Sequence, residues 1–361
     1  MLTRYRKSNT GEVLATGRIY LAREHGIARA SIDRDAVAII ERLARAGYEA
    51  YVVGGALRDV LCGERPKDVD IATDARPGQV TALFQRSRVI GRRFRLVHVP
   101  VFRRRNGGSA RHVYEVATFR GADRAHANQY GTLDQDAQRR DFTINALYYS
   151  PISQRLIDYV DGLQHLRDGV LQAIGDAEAS FTEDPVRMLR AVKYTAGTRI
   201  ELPAAYRKLI KRGSSRLAAC SVSRLTEEMS KILASGRALP ILSVAHELRL
   251  LAVMIPAVAR LVRGPLASSA TGRRLGELDA DVAAGRLPPR QQRLRMFGAL
   301  AAELPATDSS WRQDERPEKR LAQVLRRGFE PLVLPQQDAL TIAEEVASAF
   351  TANASADADD R

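Results

Sequence analysis

"YVVGGALRDVLCGERPKDVDIAT", Tyr51 to Thr73, sets two short β-rich runs on either side of a glycine pair and a helical stretch. Glu49 to Val53 reads as a strand, Gly54-Gly55 turns the chain into a helix, and "VDIAT" returns as the next strand. Strand side chains alternate faces, so Asp68 and Asp70 point one way while Val69 and Ile71 enter the core. Two strand rises put the aspartate Cα atoms about 6.6 Å apart. Carboxylates that close repel and raise each other's pKa unless positive charge sits between them. A divalent cation provides it, since Mg²⁺ takes hard oxygen ligands at about 2.0 to 2.1 Å and keeps places for water and substrate phosphates. Taken alone, Asp-x-Asp has a plainer reading as polar residues of an edge strand.

The neighbourhood favours the metal. Gly54 and Gly55 lack side chains, which lets backbone N–H groups approach a phosphate at a helix start. Arg58, one turn on, is placed to reach a triphosphate, and Asp59 to orient Arg58 or cap the helix. Downstream, "HVYEVATF" puts Val113, Glu115, Ala117 and Phe119 on one strand face and makes Glu115 a candidate third acidic group.

Further outward, Ser31 offers an N-cap to a helix carrying Val37, Ile40 and Leu43 at helical spacing, with Gly47 as its stop. Pro77 opens another helix, and "RVIG" and "RLVHVPVF" read as strands. Residues 1–30 lack clear periodicity and read as a basic arm. From about residue 176 strand signals give way to Ala, Leu and Arg at helical spacing. "TANASADADDR" at the end is small, polar and acidic, the composition of a disordered tail. The fold class is therefore α+β, a mixed sheet with helices followed by an all-helical half.

Apolar residues make up 45% and charged residues 27% of 361, which describes a folded chain with room for two or three modules. No apolar run approaches the length of a membrane span, and no secretory signal opens the chain. The Arg-rich opening has some transit-peptide character, but Glu12 and Glu24 count against that. Cys62 and Cys220 lack metal-ligand spacing and read as buried small hydrophobes in a reducing compartment, hence a cytoplasmic location. Lys plus Arg outnumber Asp plus Glu by 56 to 42, a net charge of +14. That field favours polyanions. Arg92, Arg93, Arg103, Arg104 and Arg105 cluster within it as candidate contacts for such a polyanion, nucleic acid among them. No basic amphipathic helix with large apolar anchors suggests a membrane surface.

"EDPVRMLRAVKY" starts with an acidic residue and Pro185, as a helix start does. Leu189, Val192 and Ala196 make its apolar stripe, while Asp184 and Arg187 share the other side. A surface ion pair is the plain reading. As a base-reading pair, a carboxylate and a guanidinium satisfy the amino donor and ring-nitrogen acceptor that adenine and cytosine both present. Guanine and uracil reverse that order, and each unpaired buried polar group costs roughly 1 to 3 kcal/mol. The pair therefore suits ATP or CTP and does not choose between them.

"YVVGGALRDVLCGERPKDVDIAT", "VYEVATFR", "QRRDFTINALYY" and "TEDPVRMLRAVKY", in that order, resemble the bacterial class of the nucleotidyltransferase superfamily that contains tRNA CCA-adding enzymes and poly(A) polymerases. The likeness runs from about Ala28 to Leu251. It implies a nucleotidyltransferase head at 31–150, a neck with the base-recognition helix at 151–212, and a helical RNA-binding body at 213–350, between the arm at 1–30 and the tail at 351–361. It also implies that Arg140 and Asp141 bind the sugar and Asn145 adds a contact, with Phe142, Ile144, Ala146 and Leu147 in the core. Asp68 and Asp70 would hold Mg²⁺, with Mn²⁺ as an alternative, and Glu115 would complete the cluster.

"VIGRRFRLVHV" and the leader "REHGIARASIDRDAVAIIERLARAGYEAYVVGG" resemble the poly(A) polymerase branch, whereas CCA-adding relatives usually carry a Gly-Thr stretch in place of the first. Ala56, where Gly is commoner, and the insertion "FRRRNGGSARH" depart from the pattern. The expected activity is template-independent addition of AMP from ATP to RNA 3′ ends, with CCA addition and a catalytically silent RNA-binding adaptor as alternatives. The intact Asp68, Asp70, Asp184 and Arg187 weigh against the adaptor. Six histidines without a His-Asp doublet weigh against a phosphohydrolase. An accessory RNA-binding protein is a candidate partner, and oligomeric state is left open.

Overall fold

The computed structural model describes residues 2–8, 10–91, 95–105, 108–123, 129–287 and 289–359. The chain forms two compact units, Met1–Ala177 and Glu178–Arg361. In the first unit, β1 (Leu2–Lys7), β2 (Val13–Tyr20), β3 (Ala50–Val53), β4 (Asp70–Thr73), β5 (Arg88–Ile90), β6 (Leu96–Arg105), β7 (Gly108–Thr118), β8 (Leu147–Ser150) and β9 (Arg155–Asp158) build one sheet. Its order is β1-β2-β9-β8-β3-β4-β7-β6-β5. Neighbours run antiparallel except β4 and β7, which are parallel.

Alternation assigns the two faces. Val52, Ile71 and Tyr149 pack with Ile40, Leu43, Leu57 and Val80, from the helices Arg34–Arg45, Gly55–Leu61 and Pro77–Leu83. Tyr51, Val53, Ala72 and Tyr148 pack on the other face with Leu133 and Ala137 of the helix Leu133–Gln138. Asp70, two residues before Ala72, belongs to this second face. The first helix is capped by Asp33, whose carboxylate accepts from the N–H groups of Asp35 and Ala36. Ser31, the expected cap, sits in the preceding 3₁₀ turn, and the acidic residue nearest the helix prevails.

The expected basic arm is in fact a hairpin. β1 pairs with β2, and β2 joins the sheet through Arg18↔Asp158, Ile19↔Ile157 and Tyr20↔Leu156. Its arginines are drawn onto distant acids, Arg4 on Glu49 at 3.1 Å and Arg6 on Asp134 at 2.8 Å. Gly17 lies under the Tyr159 ring, where an added Cβ would come within 2.7 Å of a ring carbon. The first unit extends past residue 150, since β9 is needed to seat β2 and β8.

The second unit is helical among its described residues. The helix Val186–Thr195 buries Met188, Leu189 and Val192 and packs on the helices Val222–Leu233 and Ala238–Glu247. The segments expected as neck and body from residue 178 onward fall within this one unit. Residues 351–359, expected as a disordered tail, continue the helix Gln336–Asp359, in keeping with the high helix propensity of their alanines. Cys62 and Cys220 are half-buried rather than buried. No helix among the described residues is long and apolar enough to cross a membrane.

Candidate active site

β3 ends at Val53, and the chain turns through Gly54 at φ 71° and ψ −138°, a conformation open essentially to glycine alone. Val53 is the register partner of Asp70, so this turn lies beside the start of β4. A Cβ on Gly54 would stand 3.6 Å from both Asp70 Oδ2 and Arg140 Nη1. The glycine turn, the acidic strand and the "RRDF" segment therefore meet at one point.

β4 begins at Asp70, and Asp68 lies in the extended segment just before it. Exposure alternates as the sequence predicts: Asp68 and Asp70 are exposed, while Val69 and Ile71 are 7% and 0% exposed. Glu115 is the register neighbour of Asp70 across the parallel pair. Its carboxylate, however, lies 3.4 Å from His98 Nε2 on β6. Among the described residues no three acidic, histidine or cysteine side chains gather as a metal cluster. Asp68 and Asp70 nevertheless suit a divalent cation in their chemistry, being exposed hard-oxygen donors two residues apart, with Asp70 beside the Gly54 turn.

Arg58 donates to Asn145 Oδ1 at 2.9 Å and to Asp59 Oδ1 at 2.7 Å, so Asp59 does orient it. Asn145 Nδ2 donates in turn to Asp141 Oδ1 at 3.0 Å, which also accepts the Phe142 N–H at 2.8 Å. Arg140 reaches the Asn145 carbonyl at 3.2 Å, Tyr148 Oη at 2.9 Å and Asp136 Oδ2 at 3.0 Å. One network thus links Gly54, Arg58, Arg140, Asp141 and Asn145. Phe142, Ile144, Ala146 and Leu147 are fully buried, as expected of core.

Asp136 is a site residue that the sequence reading missed. It is 3% exposed and accepts from Arg120 at 2.6 Å, Arg140 and the Tyr148 hydroxyl at 2.6 Å. Burial alone would raise its pKa, but Arg140 and Arg120 hold it well below the carboxylate range. The i,i+4 spacing of Asp136 and Arg140 was the available signal. Arg120 and Tyr148 had none.

The arginine clusters are less uniform. Arg92 and Arg93 lie outside the described residues, as do the side chains of Arg104 and Arg105 on β6. Arg103 is committed to Asp35 at 2.5 Å and Asp33 at 2.7 Å. Burial tends to raise the Asp33 pKa, yet the Tyr114 hydroxyl and Arg103 bring it down to about 2.

In the second unit, Asp184 sits between two helices just before Val186–Thr195. It makes no ion pair with Arg187 among the described residues. Its Oδ2 accepts from Arg224 at 2.8 Å and its Oδ1 from the Val186 N–H at 3.3 Å. Arg187 donates to Ser180 Oγ at 2.7 Å and approaches Glu183 at 3.5 Å.

A sheet with two exposed aspartates beside a glycine turn, followed by a helical half, is the layout of a nucleotidyltransferase head with its appended domain. Residues 50–172 match the model of the poly A polymerase head domain. Residues 201–261 match that of the probable RNA and SrmB-binding site of polymerase A. The chain is 40% identical over 254 residues to poly(A) polymerase I of Salmonella typhi, covering 66% of this chain and 53% of that protein. It is 38% identical over 220 residues to the CCA-adding enzyme of Geobacillus thermodenitrificans, covering 58% and 52%. The crystal structure of the Bacillus stearothermophilus CCA-adding enzyme in complex with CTP superposes with a TM-score of 0.55 at 27% identity, over 88% of this chain and 82% of that one. The chain belongs to the nucleotidyltransferase family of bacterial poly(A) polymerases and tRNA CCA-adding enzymes. It spans about half the length of these curated relatives.

Proposed function

We propose that this protein adds AMP from ATP to the 3′-hydroxyl of RNA without a template. The 3′ oxygen forms a bond to the α-phosphorus, the bond to the bridging oxygen breaks, pyrophosphate leaves, and the hydroxyl proton passes to solvent. The observation that carries this reading is the meeting of Asp70, the Gly54 turn and Arg140, with 3.6 Å separating each side chain from the position of a Cβ on Gly54. Acid, glycine turn and fixed guanidinium then lie side by side.

Asp68 and Asp70 would hold Mg²⁺, or Mn²⁺ in its place. Bound there, the cation would neutralise charge on the triphosphate and favour ionisation of the attacking hydroxyl. The protein's own groups do the rest. Gly54 and Gly55 let the backbone approach phosphate, and Arg58 and Arg140, fixed by Asn145, Tyr148 and Asp136, set positive charge beside it. Asp141 and Asn145 face the sugar hydroxyls. Asp184 and Arg187 select the base, and the basic helices after residue 200 track the RNA backbone without reading sequence. Glu115 acts beside Asp70, orienting water from its place next to His98.

The adenylating branch rests on the "VIGRRFRLVHV" stretch and on the longer match to poly(A) polymerase I than to the CCA-adding enzyme, 254 against 220 residues. CCA addition is the second reading, favoured by a base-reading pair that suits C as well as A and by the likeness to a protein solved with CTP. The test is to incubate the full chain with Mg²⁺, each nucleoside triphosphate separately, and either a generic single-stranded RNA or a tRNA lacking its CCA end. Long ladders with ATP alone on the generic RNA support adenylation. Addition that stops at CCA on the tRNA, with little extension of the generic RNA, moves the assignment to the second reading.

A further inference from the structure

The base-reading pair does not hold itself together; each member has a separate partner. Arg187 is turned toward Ser180 and Glu183 on its own side of the break. The Asp184 carboxylate is gripped from outside, by Arg224 of the helix Val222–Leu233 at 2.8 Å. Four residues on from Arg224, Glu228 takes Arg190 at 2.6 Å and Lys193 at 2.5 Å. Both of those cations belong to the helix Val186–Thr195. The helix Val222–Leu233 therefore holds the helix Val186–Thr195 through Glu228 and the residue just ahead of it, Asp184, through Arg224, and only the second contact touches the base-reading carboxylate.

An ionised carboxylate accepts hydrogen bonds only, whereas the protonated acid also donates one. A donating Asp184 would welcome the carbonyl of guanine or uracil, and a freely rotating one would fix no edge at all. We propose that Arg224 is a specificity-determining positioning residue, which keeps Asp184 oriented as an acceptor and so sets the preference for bases that present an amino group. This rests on Asp184 and Arg187 reading the base. Burial alone would favour the neutral acid at Asp184; Arg224 first, then Arg187 and Arg190, together outweigh it and leave the pKa below the ordinary value. The two side chains are 41% and 21% exposed, so the contact sits where a ligand can reach it. The planar guanidinium fork matters as well as the charge, since a lysine supplies the charge without the fixed geometry.

The test compares Arg224→Met, Arg224→Lys and Asp184→Asn in the full chain with Mg²⁺, measuring competition of ATP and GTP against a fluorescent ATP analogue. Thermal melting checks each fold. The expected result is an ATP-over-GTP affinity ratio that narrows about tenfold or more in Arg224→Met and Asp184→Asn, with Arg224→Lys in between. If Asp184→Asn narrows the ratio while Arg224→Met weakens both nucleotides equally, Arg224 is merely structural and the proposal falls while the base reading stands. An unchanged ratio in Asp184→Asn removes the base reading, and this proposal with it. Should Arg224→Met fail to fold, Arg224→Lys decides: an unchanged ratio overturns the proposal.

Discussion

Asp70 stands between two strands that each bring it something different. β3 presents the Gly54 turn, and β7 presents Glu115 in register. The carboxylate is exposed, so Asp70→Ala should melt within a few degrees of the parent. Its loss should nevertheless lower AMP incorporation by about a thousandfold, since removing charge stabilisation worth several kcal/mol has that effect on a rate. Radiolabelled ATP incorporation, read beside a melting curve, checks both halves, and near-normal turnover would discard the metal role. That Asp68 and Asp70 are exposed while Val69 and Ile71 are buried was legible in the sequence, because the alternation of polar and apolar residues announces it. The direction of Glu115 was not, because it depends on His98, a neighbour across β6 whose placement has no local signature.

At the scale of elements, Val222–Leu233 grips Val186–Thr195 by placing Glu228 between two cations, Arg190 and Lys193. Glu228 is 3% exposed. Burial opposes its charge, yet Lys193 and Arg190 bring its pKa down to about 2 from an ordinary 4.5. A depressed carboxyl stabilises the fold in full above its unfolded pKa and loses that contribution as pH falls through the folded one. The second unit should therefore weaken between about pH 4.5 and pH 2. Glu228→Gln should cost about 1 to 3 kcal/mol at neutral pH, since it weakens charge-assisted hydrogen bonds to two half-buried cations, Arg190 and Lys193. Urea titrations of parent and variant at pH 7 and pH 3 check this: the gap between them should shrink at the lower pH.

The helix itself was legible from Pro185 and the stripe of Leu189 and Val192. Arg224 and Glu228 were not, since contacts between distant segments leave no periodicity. The β1–β2 hairpin escaped for a related reason. Its arginines look like a solvated arm until Glu49 and Asp134 are brought beside them by the sheet.

Across the whole molecule the net charge of +14 outlasts the local pairing, even though Arg103 and others are committed to acids. Binding to a single-stranded RNA should therefore release counterions. For about six phosphate contacts, affinity should fall on the order of a few hundredfold between 50 and 200 mM salt, independent of sequence. Fluorescence anisotropy with two unrelated oligonucleotides checks this, and a flat salt response would remove the backbone-tracking role. The charge excess and the change from mixed to helical structure were both plain from composition and periodicity.

The order of strands has a further consequence for how the protein is made. β2 seats itself against β9, so the opening hairpin can complete its sheet only when a segment ending at Asp158 has been synthesised. At roughly 5 to 20 residues per second, a nascent chain carries an open strand edge on the ribosome for several seconds or more before its partner emerges. Arg18 on β2 sets a charge along that waiting edge, a feature that discourages pairing with the wrong chain.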